Sequence, residues 1–170
     1  MKTHELWLTP PKPAVVWAGC DYYKRLVRLH NWRIEPKIDG WRCIIVHGDS
    51  GIQCFTRQGK PLAANVPGTV ELPPDTVLDC EWTRKDGNIY VFDVPILRGI
   101  RMSVQYLDRR ARLKEFIPSM GVMRVIEQIQ GRHSALKDAL DRGYEGIVFK
   151  EERSMYPTGK TTKDWIKCKG

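Results

Sequence analysis

A lysine, an acid, a glycine and an arginine lie within six residues of one another, from Lys37 to Arg42. Asp39-Gly40 separates two apolar runs, which is typical of a turn or bulge between strands. Glycine lets a ligand approach the backbone closely, so the Lys37 amine can come near a phosphate. An amine that is desolvated or crowded by cations can also act as a nucleophile. The segment therefore predicts either a phosphate site with a reactive Lys37 or an ordinary hairpin with a solvated lysine.

Further charged residues occur on or beside apolar segments later in the chain. They are Arg57, Glu81, Asp93, Glu145, Lys167 and Lys169. A charge flanked by Val, Ile and Leu is costly to bury unless it is paired or bound to a ligand. Lys167 and Lys169 are two residues apart on a predicted strand and so share one face. A single site that gathers these cations and acids would satisfy them together.

The elements that must position these residues are mostly strands. Besides the strand that carries Lys37, we predict strands at 42–47, 52–56, 76–83, 89–94, 146–150 and 165–169. Helices are predicted near 22–30 (with Asp21 as N-cap), 104–117, 122–130 and 134–142. Residues 1–19 are predicted as an irregular arm, and 61–75 and 151–163 as loops. Hairpin-paired strands with inserted helices favour an α+β fold built on antiparallel sheet.

Composition narrows the class of protein. With 170 residues the chain is long enough for one domain and short for two. The formal charge of +8 favours a polyanionic partner. The five cysteines are scattered and the four histidines form no ligand cluster, so neither zinc nor a disulfide framework is indicated. The chain has no apolar run of about 18 residues, so we expect no membrane association and a cytoplasmic, non-secreted protein.

Six segments, taken in order, resemble the nucleotidyltransferase domain of ATP-dependent DNA ligases, which is related to RNA ligases and mRNA capping enzymes. The resemblance runs from Glu35 to the C-terminus. The segments are KIDGWR (37–42), TRQGK (56–60), LDCE (78–81), YVFD (90–93), EGIVFK (145–150) and WIKCK (165–169). The loop YPTGK (156–160) also fits the family. The implied fold is α+β, with antiparallel β-sheets flanked by helices and the nucleotide site between them.

The resemblance implies a reaction with ATP and Mg²⁺. Lys37 is expected to attack the α-phosphate of ATP, to form lysyl-AMP, and to pass AMP to the 5′-phosphate of nicked duplex DNA before sealing. The other implied roles are Lys167 and Lys169 at the α-phosphate, Glu145 as magnesium ligand, Arg42 and Glu81 on the ribose hydroxyls, Phe92 stacked on adenine, Glu35 accepting from the adenine amino group, and Arg57, Lys60 and Lys160 on DNA.

Two departures from the family pattern affect these expectations. Cys80 stands where the family usually has glycine, and the chain ends at Gly170, where ligases usually continue into an OB domain. We therefore expect a monomeric adenylation domain over 1–170, with an OB domain absent or supplied by another chain. Self-adenylation is then expected to be slow and sealing weak.

Alternatives remain open at the level of residues and of the whole chain. Phe92 could be an ordinary core aromatic, Glu35 and Arg57 could be solvated, and Lys160 could belong to a solvated cationic loop. The chain could instead be an RNA ligase, a capping guanylyltransferase-like domain, or a non-catalytic module that binds nicks or nucleotides.

Overall fold

The computed structural model describes residues 1–170 as short strands and helices joined by turns. In chain order the elements are α1 (Thr3–Leu6), β1 (Lys12–Val15), α2 (Asp21–Leu26), β2 (Trp32–Lys37), β3 (Trp41–Gly48), β4 (Gly51–Phe55), β5 (Thr76–Trp82), β6 (Ile89–Leu97), β7 (Ile100–Arg101), α3 (Tyr106–Leu113), β8 (Met123–Val125), α4 (Ala135–Asp141), β9 (Gly146–Glu151) and β10 (Thr161–Lys169).

The first sheet has four strands in the order β1-β10-β9-β2. β1 runs parallel to β10, and the other two pairs are antiparallel. Because side chains alternate along a strand, Ile147 and Phe149 of β9 point to one face, where they pack with Leu26 of α2 and Ala139 of α4. Helices therefore cover one face of this sheet, and the other face is left for the site.

The second sheet has the strand order β4-β3-β5-β6-β7, with β8 added parallel to β6. Cys43 and Ile45 of β3 belong to a core cluster that includes Leu113 of α3. On the other side of β3, Ile44 and Val46 pack in a smaller cluster with residues of the N-terminal arm. Apolar contacts thus occupy most of both faces, and only one end of this sheet opens towards the first sheet.

The predicted α+β fold of antiparallel sheets flanked by helices is confirmed. Each predicted strand is present, although β6 extends to Leu97 and β10 begins at Thr161. Two predicted helices are present but shorter than expected, at Tyr106–Leu113 and Ala135–Asp141.

The helix predicted at 122–130 is wrong. Residues Met123–Val125 form β8, which pairs in parallel with Ile89–Val91 of β6. Met123 and Val125 are buried and Arg124 between them is half-buried, which is the alternation of a strand. The local apolar pattern of this segment fits a helix as well as a strand. The segment forms a strand because it can pair with the edge of the second sheet.

The N-terminal arm is more regular than predicted. Residues Lys12–Val15 form the edge strand β1, which tolerates Pro13 because an edge strand has one side free of ladder hydrogen bonds. The following helix is also shorter than the predicted 22–30. Its N-cap is Cys20, whose sulfur accepts from the Tyr23 amide at 3.4 Å, so the prediction of Asp21 as N-cap is wrong.

None of the helices is long and apolar enough to cross a membrane.

Gly146 offers a test of how tightly β9 packs against β10. A Cβ atom at this position would lie 2.1 Å from the backbone oxygen of Cys168. We therefore expect Gly146→Ala to lower the free energy of unfolding by roughly 1–3 kcal/mol, as overpacking usually does. Urea unfolding measures the change. Gly68→Ala is the control, because a Cβ at Gly68 meets nothing within 4 Å; equal losses in both variants would contradict the packing argument.

Candidate active site

A cleft of about 710 Å³ lies between the two sheets. It gathers seven of the residues singled out in the sequence: Glu35, Lys37, Arg42, Arg57, Glu81, Phe92 and Lys167. Glu145 and Lys169 do not line the cleft. Glu145 contacts Lys37 at the edge of the cleft, and Lys169 contacts Glu145. Lys60 and Lys160 are exposed and lie outside the cleft lining. The residues predicted for the nucleotide thus converge, whereas two of the three predicted DNA contacts lie apart from them.

Glu145 joins two lysines at the edge of the cleft. Lys37 ends β2 opposite Gly146, which is also paired with Lys169 at the end of β10. The Lys37 and Lys169 amines each donate to one carboxylate oxygen of Glu145. Burial alone would raise the pKa of Glu145, but the hydrogen bonds and charges of the two lysines outweigh it and hold that pKa below its usual value. Glu145 is therefore an ionised link between two cations.

Lys167 is the cation of this group that has no carboxylate partner. It lines the cleft from β10, two residues before Lys169 and on the same face of the strand. Burial lowers the pKa of Lys167, and repulsion from Lys37 and Lys169 lowers it further. Its ammonium is therefore available to an anionic ligand, and an anion would relieve the repulsion among the three lysines.

Arg42 and Glu81 face each other across β3 and β5, where their Cα atoms are register partners. The Arg42 guanidinium donates through two nitrogens to the buried carboxylate of Asp79, which also accepts from the Tyr156 hydroxyl at 2.5 Å. Much of the hydrogen-bonding capacity of Arg42 is thus already used within the protein. The predicted contact of Arg42 with ribose stays a prediction.

The Glu81 carboxylate accepts no hydrogen bond from the protein and points into the cleft. Burial raises its pKa to about 7, although the charges of Arg42 and Lys37 act in the opposite direction. An acceptor of this kind, placed in a cleft without a donor, suits the hydroxyl groups of a ligand. The predicted ribose contact of Glu81 fits this arrangement.

Phe92 is half-buried and forms part of the cleft wall. Its ring packs edge-to-face on Trp165, with the centroids 6.3 Å apart. The Arg42 guanidinium carbon and the Lys150 Nζ atom each lie 4.8 Å from the ring centroid. Phe92 is therefore a cleft residue with cationic neighbours rather than a fully buried core aromatic, and its stacking on adenine stays a prediction.

Glu35 is 2% exposed, so the alternative of a solvated carboxylate is wrong. Its carboxylate accepts from Lys150 at 2.7 Å, from Arg110 at 3.2 Å and from the Tyr106 hydroxyl. The predicted contact with an adenine amino group would add a fourth donor to an already satisfied acceptor. That role of Glu35 stays a prediction.

Lys150 is the main site residue that sequence reasoning missed. It lies in the EGIVFK segment and is 2% exposed, with its amine over the rings of Trp165, Phe92 and Tyr106 at 4.2, 4.8 and 5.1 Å. Burial lowers its pKa, and the charge of Glu35 opposes that change. A lysine inside an apolar strand was a visible signal, but only the fold reveals its partner on β2.

The N-terminal arm was also missed as part of the site. Residues 11–15, which include β1, line the cleft beside Lys167. Arg57 lines it from the turn after β4, and burial together with the charge of Arg42 lowers its pKa. The alternative of a fully solvated Arg57 is therefore wrong, since the residue is half-buried in the cleft wall.

A magnesium ion would have to rely on few protein ligands here. The chain has no group of three or more His, Cys, Asp and Glu side chains that could hold a metal. Mg²⁺ is often held by one or two carboxylates together with substrate phosphates and water. Glu145, an ionised hard carboxylate at the cleft edge, fits that pattern, provided that a phosphate supplies further oxygens.

Comparison with known families identifies the family of the chain. Residues 79–169, more than half of the chain, match the ATP dependent DNA ligase domain family. The chain belongs to this family. The resemblance found in the sequence motifs is thereby confirmed.

Relatives of this ligase domain agree in sequence and in fold. A probable DNA ligase of Pseudarthrobacter chlorophenolicus is 24% identical over 94% of this chain and 38% of its own length. The multifunctional non-homologous end joining protein LigD of Mycolicibacterium smegmatis is 27% identical over 84% of this chain and 22% of its own length. The solved structure of mycobacterial DNA ligase D complexed with ATP and MES matches with a TM-score of 0.71, at 21% identity, over 95% of this chain and 60% of that chain. The ligase domain thus spans well under half the length of these two sequence relatives.

The raised pKa of Glu81 predicts a pH dependence of stability. The folded state holds the Glu81 proton up to about pH 7, whereas the ordinary value is 4.5. Between these values the native state binds more protons, so this contribution to stability is complete below pH 4.5 and is lost as the pH rises through 7. We expect the difference in unfolding free energy between wild type and Glu81→Gln to change across pH 4.5–7. Urea midpoints measure it.

The exposed Glu71 provides the matched control for that experiment. Glu71→Gln should follow the wild type at every pH. A Glu81→Gln variant that also tracks the wild type throughout would contradict the raised pKa.

Proposed function

We propose that this domain is the adenylation domain of an ATP-dependent DNA ligase and that Lys37 is its nucleophile. The observation that supports this is the cluster of Lys37, Lys167, Lys169 and Glu145 at one end of a cleft large enough for a nucleotide. Only Lys37 of these three lysines both lines the cleft and contacts the carboxylate of Glu145. Position and chemistry therefore select the same amine.

The proposed first step is phosphoryl transfer from ATP. The neutral Lys37 amine attacks the α-phosphorus, a phosphorus–nitrogen bond forms, and the bond to the bridging oxygen of pyrophosphate breaks. The amine loses its proton in the step, and pyrophosphate leaves with its electron pair. Lys167 and Lys169 favour this reaction because their charges lower the cost of placing the triphosphate there.

The other cleft residues are suited to the nucleoside. Glu81 has a free carboxylate for ribose hydroxyls, and Phe92 offers a ring in the cleft wall for adenine. Arg42 is held by Asp79 next to Glu81, so its remaining N–H groups are pre-oriented towards the same region. Glu35 supports this wall through Lys150, which also donates to the Phe92 carbonyl at 3.3 Å.

Mg²⁺ would neutralise charge on the phosphate oxygens when bound, with Glu145 as the residue to hold it. In the protein alone, Glu145 is held by Lys37 and Lys169. Its carboxylate would therefore have to be shared with the ion. Sharing would weaken the hold of Glu145 on Lys37.

The second and third steps concern DNA. AMP passes from Lys37 to the 5′-phosphate of nicked duplex DNA, and the 3′-hydroxyl then displaces AMP to seal the strand. Arg57 is the best candidate for the 5′-phosphate because it joins the cleft from a turn at its edge. The exposed Lys60 and Lys160 and the net charge of +8 would add contacts with the DNA backbone. An OB domain, in the same protein or another, would complete the enzyme.

The reactive amine can be tested by mass. Wild-type protein incubated with ATP and magnesium should gain the mass of one AMP, and Lys37→Ala should gain none because the phosphoramidate has lost its nitrogen. Lys85→Ala, in the exposed β5–β6 turn, is the control and should react like wild type. Intact-mass spectrometry measures the adduct. An adduct of equal yield in Lys37→Ala would refute the assignment.

The adduct mass, together with transfer and DNA-binding assays, separates the alternative functions. A GMP adduct formed from GTP in preference to an AMP adduct formed from ATP would favour a capping-type enzyme. Transfer of AMP to RNA ends in preference to nicked DNA would favour an RNA ligase. Tight nick binding without any adduct would favour a non-catalytic module.

Arg57 should act after nucleotide binding. We expect Arg57→Ala to keep self-adenylation but to slow transfer of AMP to a nicked duplex by roughly 10- to 100-fold, the usual effect of losing one hydrogen bond to a charged group. Single-turnover assays that start from preformed enzyme-adenylate measure the step. Arg84→Ala, exposed in the β5–β6 turn, should transfer at the wild-type rate. If Arg57→Ala loses adenylation as strongly as transfer, the residue belongs to the nucleotide site instead.

A further inference from the structure

Two large apolar side chains stand exposed where the chain leaves β1. Val15 is 56% exposed and Trp17 is 79% exposed, whereas Val16 between them is 4% exposed and packs in the core under the helices. The Trp17 exposure is the largest of any aromatic residue among the exposed large hydrophobics of the chain. An indole left in water is costly unless a ligand covers it, which makes this position a candidate contact surface.

The strand register places this surface beside the lysines. Val15 pairs with Lys167, and the Val16 amide donates to the Lys167 carbonyl at 3.0 Å. Since Val16 points to the helical core, alternation directs Val15 to the cleft, whose wall it joins. Trp17 follows Val15 by two residues, beyond the end of β1 and outside the cleft lining, near the end of β10 that carries Lys167 and Lys169.

The lysines at the end of β10 favour a polyanion as the ligand of Trp17. Lys167 lines the cleft from β10, and Lys169 follows two residues later. Lys167 has no carboxylate partner in the protein. Cations interleaved with an exposed aromatic ring are typical of sites that bind nucleic acid through the phosphate backbone and an unstacked base. Two apolar side chains bordered by lysines are also too few for a stable protein interface.

We propose that the Trp17 indole stacks on the terminal nucleobase of a DNA strand at a nick or break. The proposal rests on the proposed function, since it places the base next to the cleft in which AMP would be held. A base inside a continuous duplex has both faces covered by its neighbours, whereas a base at a strand end can free one face. Trp17 would thus select discontinuous DNA over intact duplex. Val15 would support the base through contact in the cleft wall.

A double-mutant cycle between protein and DNA tests this contact directly. One partner is Trp17, changed to Ala or Phe. The other is the nucleobase at the strand end, present or replaced by an abasic tetrahydrofuran residue, in separate nicked duplexes for the 3′ and 5′ sides. Affinity is measured by fluorescence anisotropy at one fixed salt concentration.

The expected pattern is specific to stacking. The affinity of wild type should fall roughly 10-fold when the base is removed on one of the two sides. With the base present, Trp17→Ala should bind as weakly as wild type binds the abasic duplex. Removal of the base should then weaken Trp17→Ala little further. Trp17→Phe should keep most of the base-dependent term, because any aromatic face can stack. Tyr22→Ala is the matched control: Tyr22 is 45% exposed on α2, on the opposite face of the sheet, and its removal should leave the base-dependent term at the wild-type value.

Other outcomes overturn the proposal. Equal losses for Trp17→Ala on intact, nicked and abasic duplexes would mean that Trp17 acts through packing and not through a base. No change in any duplex would remove Trp17 from the DNA site. Weaker association of the chain with itself in sedimentation, without an effect on DNA, would assign the surface to a protein contact.

Self-adenylation of each Trp17 variant, measured in parallel by intact mass, keeps the two hypotheses apart. If wild type forms no adduct, the proposed function fails whatever the binding data show. If wild type and Trp17→Ala both form it and the cycle shows no coupling, only the stacking proposal fails.

Discussion

The buried carboxylate of Glu35 is the interaction on which the site depends. Lys150 joins it from β9, and Tyr106 and Arg110 join it from α3. Through Lys150 the network reaches the Phe92 carbonyl on β6, in the second sheet. A buried charge that loses its partner is strongly destabilising, so these groups hold one another in place. The cleft between the sheets therefore has a fixed wall.

The opposite end of the cleft carries an excess of positive charge. There the cations exceed the acids: Lys37 and Lys169 share the single carboxylate of Glu145, and Lys167 has no carboxylate partner. Partial burial and mutual repulsion lower the pKa of Lys167. An arrangement of this kind is poorly neutralised by the protein itself and gains most when an anion enters. One end of the site is thus rigid, because its charged groups are paired within the protein. The other end is cationic, because its positive charges exceed the acids that could pair with them.

The two ends suit the two halves of a nucleotide. The satisfied end presents aromatic and carboxylate groups, which match a base and its sugar, and the cationic end matches phosphates. Because both are carried on paired strands, their separation is set by backbone hydrogen bonds rather than by flexible loops. The edge strand β1 completes the wall, since its residues line the cleft beside Lys167.

The sequence predicted most of the fold and most of the charged residues that line the cleft, but not which of these charges pair with one another. Alternating apolar residues identified seven of the ten strands, and the ordered motifs identified the family. Local pattern failed at residues 122–130, where pairing with β6 decided the structure, and in the arm, where β1 was hidden by prolines.

The sequence by itself determined which charged residues lie on strands, and the order of its motifs determined the family. Both depend only on the local spacing of residues. Only the tertiary structure decided which charges meet. Glu35 and Lys150 are far apart in the chain, as are Lys37, Glu145 and Lys169, and their contacts follow from strand register across β2, β9 and β10. Register depends on the packing of whole sheets, which no single segment encodes.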